Sequence, residues 1–243
     1  MKERSIRVID HFYKDPFTKR KEALLCEYQK SKVYAGVNSI KQFHLEEAMK
    51  KIEDILGTPV RWDEFTVNGR YRISTALDTF RQDIHPDSFL PWSPFPQWVG
   101  VCHLTLPKNC QGGTSFWKHK KTGFEKYPVL KKELARVNRI ANIPNTPKEI
   151  GKYFLEEGLD RSRWLEVRKV PMIFNQLVLF KSDLFHTYTS IFGNSRENSR
   201  LVHLFCFDEV DYFIKMIRMM AYSKKYPSRK EPPSHPGQTR IHT

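Results

Sequence analysis

The sequence predicts a mainly β protein with flanking helices, built as an antiparallel barrel or jelly roll, and three observations carry that expectation. Helical periodicity is confined to the N-terminal third, one internal stretch and the C-terminal end. Between these, apolar residues alternate over many short runs bounded by Gly, Pro and Asn. No strand-helix-strand alternation occurs, which argues against a doubly wound parallel sheet.

The elements follow in order. Residues 6–11 read as a short strand. Asp15-Pro16 supplies an N-cap and a first-turn proline, and Phe17, Leu24, Leu25 and Tyr28 mark the apolar face of a helix to about residue 29. A second helix is expected over 44–56, with Leu45, Met49, Ile52 and Leu56 on one face and Gly57 as its stop. From Glu64 the period becomes two, and Asn68-Gly69 predicts a tight hairpin between 65–67 and 71–75. A Pro-rich loop at 91–96 precedes a strand over 98–106. Its alternation sets Trp98, Gly100, Cys102 and Leu104 on one face and Val99, Val101, His103 and Thr105 on the other. Gly112-Gly113 opens a strand over 114–117. Residues 128–157 read as an inserted helical pair, either a lid or a second packing layer, and Thr146-Pro147-Lys148-Glu149 caps its second member. Strands are expected at 164–169, 171–180, 185–191 and 200–207, then a helix over 211–222 and a basic tail.

These elements imply one domain over 1–243. Helices in 1–60 buttress a core at 61–210 that carries the insertion 128–157, and 211–243 adds the C-terminal helix and tail. The hydrophobic share of 40% and aromatic share of 13% argue for a globular chain. Four cysteines without a CxxC pair, no signal-like opening and no apolar run of membrane length predict a cytoplasmic protein with free thiols. The net charge of +14 is clustered, since 118–139 holds eight Lys/Arg against two Glu and 215–243 holds seven against one. Such clusters either attract an anionic partner or keep the chain in solution.

The chemistry centres on residues 83–88, Asp-Ile-His-Pro-Asp-Ser. In an extended segment His85 and Asp87 leave the same face and can chelate one ion. A second imidazole at His186 would complete the two-histidine, one-carboxylate set typical of non-haem iron sites with open positions. Arg200 lies fourteen residues after His186, at the start of the last strand.

The runs Ile84-His85-Pro86-Asp87, Trp98-Val99-Gly100-Val101, Gly112-Gly113-Thr114-Ser115-Phe116, Leu184-Phe185-His186 and Ser199-Arg200-Leu201 together resemble the Fe(II)/2-oxoglutarate-dependent dioxygenase superfamily. The likeness is to its prolyl-hydroxylase side, and especially to a family of small bacterial proteins on that plan. It spans roughly residues 80–207. The resemblance implies a double-stranded β-helix core of the cupin-like, jelly-roll kind. It implies that His85, Asp87 and His186 bind Fe(II), that 2-oxoglutarate and O2 are cosubstrates, and that Arg200 pairs with the distal carboxylate of 2-oxoglutarate. A guanidinium suits that task because it stays charged when buried and offers two parallel donors.

Where that superfamily often has a Tyr on the strand before the Gly-Gly turn, this chain has His103, so His103 or Thr105 becomes the candidate donor. The presence of Asp87, where halogenating members lack the carboxylate, implies hydroxylation or desaturation. Trp98, Trp117 and Tyr188 are candidate substrate contacts. The expected substrate is a small or amino-acid-like molecule, anionic or carrier-bound if the basic segment rims the mouth. The alternatives are an oxygenase acting on a protein or nucleic acid, the latter not favoured, and a non-catalytic cupin-like metal-binding module.

Overall fold

The computed structural model describes residues 5–30, 35–64, 67–78, 83–88 and 96–214. The strands are β1 Ile6–Ile9, β2 Tyr28–Lys30, β3 Val37–Ser39, β4 Val60–Trp62, β5 Tyr71–Ser74, β6 Trp98–His103, β7 Gly113–His119, β8 Trp164–Pro171, β9 Leu177–Lys181, β10 His186–Tyr188 and β11 Arg200–Glu209. The helices are α1 Pro16–Leu25, α2 Glu46–Leu56, α3 Lys131–Ala141 and α4 Pro147–Glu157. The chain divides into two compact units, Met1–Glu209 and Val210–Thr243. Of the second, residues 210–214 are described and are helical; most of the helix and all of the basic tail expected there lie outside the described residues, as does most of the Pro-rich loop.

In the first unit the strands form two antiparallel sheets. The larger runs β1-β9-β6-β11-β5-β3-β2, with β4 also on β11, and the smaller runs β10-β7-β8. His85 adds a further pairing to β10 through an antiparallel bridge with His186. Followed along the chain, β5 lies in the large sheet, the His85 segment in the small one, β6 in the large, β7 and β8 in the small, β9 in the large, β10 in the small and β11 in the large. That alternation is the double-stranded β-helix, or jelly roll. The sheets stay open at their edges and do not close into a barrel.

Strand parity sorts the core. Between the sheets lie Val99, Val101, Phe116, Val178, Phe180, Val202 and Leu204. On the outer face of the large sheet, Trp98, Cys102, Leu104, Tyr71, Ile73 and Phe205 pack under residues of α1 and α2. On the outer face of the small sheet, Trp117, Trp164 and Phe185 pack under Leu134, Val137, Ile150 and Phe154 of α3 and α4. The inserted helices are therefore a packing layer and not a lid. Thr146 caps α4 by accepting from the Glu149 amide. At the entry to β7, a Cβ on Gly113 would lie 2.0 Å from the Val170 carbonyl oxygen, so only glycine lets β8 approach.

Three local expectations change. First, α1 ends at Leu25, because Cys26 turns extended and Tyr28 starts β2. Phe17 and Leu25 are exposed, while the buried Arg20 donates to the Leu104 and Glu197 carbonyls. Second, the strand from Trp98 stops at His103 and gives way to a turn at Pro107–Asn109.

Third, Asn68-Gly69 makes the expected tight turn, with the Arg70 amide donating to the Val67 carbonyl at 3.1 Å, but residues 65 and 66 of the expected first arm lie outside the described residues. Among the described residues β5 pairs with β11 and not with a neighbouring hairpin arm, and β4 pairs with β11 as well. Asn68 is buried there; its side-chain oxygen accepts from the Cys206 amide at 2.8 Å and its amide group donates to the Asp63 carbonyl at 2.9 Å. It takes the place of the missing backbone partner.

Asn68→Ala should therefore destabilise the fold by about 1–3 kcal/mol, the cost of orphaning a buried amide. Urea unfolding measures this, and a change under about 0.5 kcal/mol, the range of an ordinary surface substitution, would reject the role.

Candidate metal centre

Residues 83–88 cross the open edge of the small sheet as an extended segment, and neighbours pin almost every residue of it. The Ile84 amide donates to the Gly158 carbonyl at 3.2 Å; His85 and His186 exchange amide-to-carbonyl bonds at 3.1 and 2.9 Å; the Asp87 and Ser88 amides both donate to the Ser182 carbonyl at 2.8 and 3.1 Å. Parity then acts as the sequence suggests. Ile84 joins the outer core under the helices, while His85 and Asp87 turn inward. On β10, Phe185 goes outward and His186 and Tyr188 go inward by the same rule.

The three inward side chains meet. One donor atom from each of His85, Asp87 and His186 lies within 4.8 Å of the others. His85 Nε2 is 3.7 Å from one Asp87 carboxylate oxygen, and His186 Nε2 is 3.4 Å from the other. Each imidazole is oriented from behind, with His85 Nδ1 2.6 Å from the Asp83 carbonyl oxygen and His186 Nδ1 2.8 Å from that of Leu184. A carbonyl only accepts, so each Nδ1 carries a proton, and Nε2 of each ring is the atom that faces the shared centre. Two imidazoles and a carboxylate form a donor set that suits a divalent transition metal.

Electrostatics keep this set ready. Burial, aided by the neighbouring His186, pushes His85 down to about 4 although Asp87 opposes the shift. Burial alone would raise Asp87, but His186, His85 and Arg72 outweigh it and hold the carboxyl below its ordinary range.

The triad opens on a cavity of about 90 Å3 whose walls include Arg72, Ser74, Thr114, Tyr188 and Arg200 beside apolar Val99, Val101, Phe180 and Leu204. Arg200 is only 8% exposed. Burial and then the like charge of Arg72 lower it to about 10, with Tyr188 opposing and its ring 5.9 Å away. Among the described residues no carboxylate pairs with Arg200. A buried guanidinium without an acid keeps donors that an anion could take.

The other candidates separate. His103 is fully buried and does not line the cavity, and burial, with Arg200 next, takes it down to about 3. Neither of its ring nitrogens makes a well-formed hydrogen bond, though the Ile173 carbonyl lies close enough to offset part of the shift. Thr105 does not line the cavity. Its hydroxyl donates to the Ser199 carbonyl and accepts from the Leu201 amide, which ties the end of β6 to β11. Trp98 is on the outer face of the large sheet, bonded to Glu209 and stacked on Phe207. Trp117 lies under the inserted helices. Of the three aromatic candidates only Tyr188 lines the cavity. No residue of 118–157 does, so the basic segment forms no rim there.

Sequence reasoning passed over Arg72. Arginine alternating with Tyr71 and Ile73 reads as a solvent face, and only the second sheet turns that face into a cavity wall.

Fold and site together define a jelly-roll protein with a buried His-Asp-His cluster able to hold a metal. The chain belongs to DUF6445, a family of unknown function, whose sequence model matches residues 1–191. No curated protein matches it in sequence. Among solved structures it is similar to HygX from Streptomyces hygroscopicus with nickel and 2-oxoglutarate bound, at 12% identity and a TM-score of 0.49 over 85% of this chain and 83% of that one. It is also similar to a Pseudomonas putida prolyl-4-hydroxylase, at 13% identity and a TM-score of 0.43 over 84% and 91%. A third is EctD from S. alaskensis in its apoform, at 10% and 0.38 over 85% and 74%.

Two outcomes follow from the geometry. A Cβ on Gly158 would lie 1.9 Å from the Ile84 carbonyl oxygen, one residue from His85. Gly158→Ala should weaken metal binding by about 10- to 100-fold, as loss of an outer support does. Competition with a chelator reads this directly, and an unchanged affinity would show that the insertion does not hold the ligand strand.

The second concerns pH. His85, His103 and His203 sit at about 4, 3 and 3 when folded, against roughly 6.5 in an unfolded chain. Above pH 6.5 neither state protonates them; below it only the unfolded chain does. Stability should thus be level above about pH 7 and fall between about 6.5 and 4. Thermal midpoints of the metal-free protein that stay level across that window would contradict the assignment.

Proposed function

We propose that this chain is a cytoplasmic Fe(II)/2-oxoglutarate-dependent oxygenase that hydroxylates or desaturates a C–H bond of a small or amino-acid-like substrate. The observation that supports it is the presence, in one buried cavity, of a His-Asp-His donor set and an arginine with no acid partner among the described residues. All four cysteines are free, which suits a reducing compartment. Among the described residues no helix is long and apolar enough to cross a membrane.

When bound, iron and 2-oxoglutarate would supply the activation of O2, with 2-oxoglutarate oxidised to succinate and CO2. The chain's own contribution is position. His85, Asp87 and His186 would hold Fe(II) on one side and leave the other side open. Arg200 would pair with the distal carboxylate through two parallel donors, its buried charge now matched. Val99, Val101, Phe180 and Leu204 form the apolar wall that limits water around the reacting groups. Asp87 fills the place a halide would need, which favours oxygenation over halogenation.

Anaerobic titration with Fe(II) and 2-oxoglutarate should produce the coloured chelate. A protein of intact fold that fails to form it is not such an oxygenase. Arg200→Gln should raise the 2-oxoglutarate concentration needed by about tenfold or more, the value of a charge-assisted hydrogen bond. Succinate formation should require O2 and vanish in His186→Ala; a protein that holds metal without any such turnover would be a binding module.

A further inference from the structure

Arg200 is supported differently from the other arginines that enter the fold. Arg20 donates to the Leu104 and Glu197 carbonyls, and Arg72 donates from Nε to Asn38 Oδ1 at 2.7 Å. Both commit donors to their own support. Among the described residues the Arg200 guanidinium makes no hydrogen bond or ion pair, although the residue is buried. What it meets is a ring: its Cζ stands over Tyr188, 5.9 Å from the ring centre.

That contact crosses the cavity. Tyr188 ends β10 in the small sheet, opposite Thr114, and Arg200 opens β11 in the large sheet, opposite Ser74. All four residues line the cavity. The ring therefore reaches from one sheet to the guanidinium of the other.

A ring is a particular kind of support. The negative face of an aromatic attracts a cation within about 6 Å of its centroid, whereas the five N–H groups of a guanidinium lie in its plane and donate from its edges. A ring can thus hold the cation without taking a donor. A carbonyl or carboxylate in the same place would occupy the donors that an anion needs.

We propose that Tyr188 is a positioning residue for Arg200, its ring holding the guanidinium from across the cavity so that the in-plane donors stay available to a carboxylate of 2-oxoglutarate. This rests on the oxygenase reading above and adds to it a residue that acts through the arginine. The ring does the positioning and the hydroxyl does not, so phenylalanine should serve as well.

The test uses the full chain loaded with nickel(II), which suits such a donor set, and titrates 2-oxoglutarate by calorimetry. Tyr188→Leu should weaken 2-oxoglutarate by about three- to tenfold, the value of one cation–ring contact. Its nickel affinity should stay within about twofold, which also shows that the site is folded. Tyr188→Phe should bind 2-oxoglutarate within about twofold of wild type. In an Arg200→Gln background the cation is gone, so adding Tyr188→Leu should change the remaining affinity by less than about twofold.

Each contrary result overturns the proposal in its own way. An unchanged affinity in Tyr188→Leu would remove the ring from the site. A loss in Tyr188→Phe as large as in Tyr188→Leu would make the hydroxyl a direct contact of the ligand. A full additional loss in the Arg200→Gln background would show that Tyr188 acts independently of Arg200, and a matching fall in nickel affinity would mean that it acts through the His186 strand. A wild-type nickel protein that fails to bind 2-oxoglutarate would overturn the oxygenase reading itself, an outcome separate from those of the variants.

Discussion

The reciprocal pair of backbone hydrogen bonds between His85 and His186 is the contact on which the site depends. It joins residues 101 positions apart into one two-residue ladder at the edge of the small sheet. An antiparallel bridge places the opposed side chains on the same face, so the pairing that continues the sheet also brings the two imidazoles together, ring centres 4.7 Å apart. Asp87, two residues on, then has one direction available to it. A slip of one residue of the 83–88 segment against β10 would turn His85 into the outer core and Ile84 into the cavity, while β7 keeps His186 facing inward. Gly158, Ser182 and the close-packed turn at Gly113 all restrain the register of that edge.

Much of this was legible in the chain. The two-residue period put His85 with Asp87, and Val99 with Val101, on the faces where they are found, because side chains alternate whatever the partner strand is. The jelly roll followed from the lack of crossover helices. Asn68-Gly69 does make its turn, but a dipeptide's preference is local and does not say that the Asn68 side chain is recruited by β11, a strand more than a hundred residues later. The inserted helices showed amphipathic faces, but a periodic face does not say what it meets. Thr105 and Trp98 looked available for ligands because a sequence records which groups are polar and not which bonds consume them.

Asp87 is held below its ordinary range by His186, His85 and Arg72 despite its burial, and Arg200 sits against the like charge of Arg72. Burying such charges costs stability unless a ligand offsets it. Under the function proposed above, the cationic groups would need little movement to meet a dianion.

The carbonyls behind His85 and His186 have a consequence for the cell. Because the Asp83 and Leu184 carbonyls fix both rings and their tautomers before any ion arrives, the donor set is preformed, and a preformed His2Asp set follows the general affinity order of divalent metals, in which nickel and copper exceed iron. Under the function proposed above, loading with iron would then be governed by the metal supply of the compartment, and excess nickel, cobalt or zinc would compete for the same three donors.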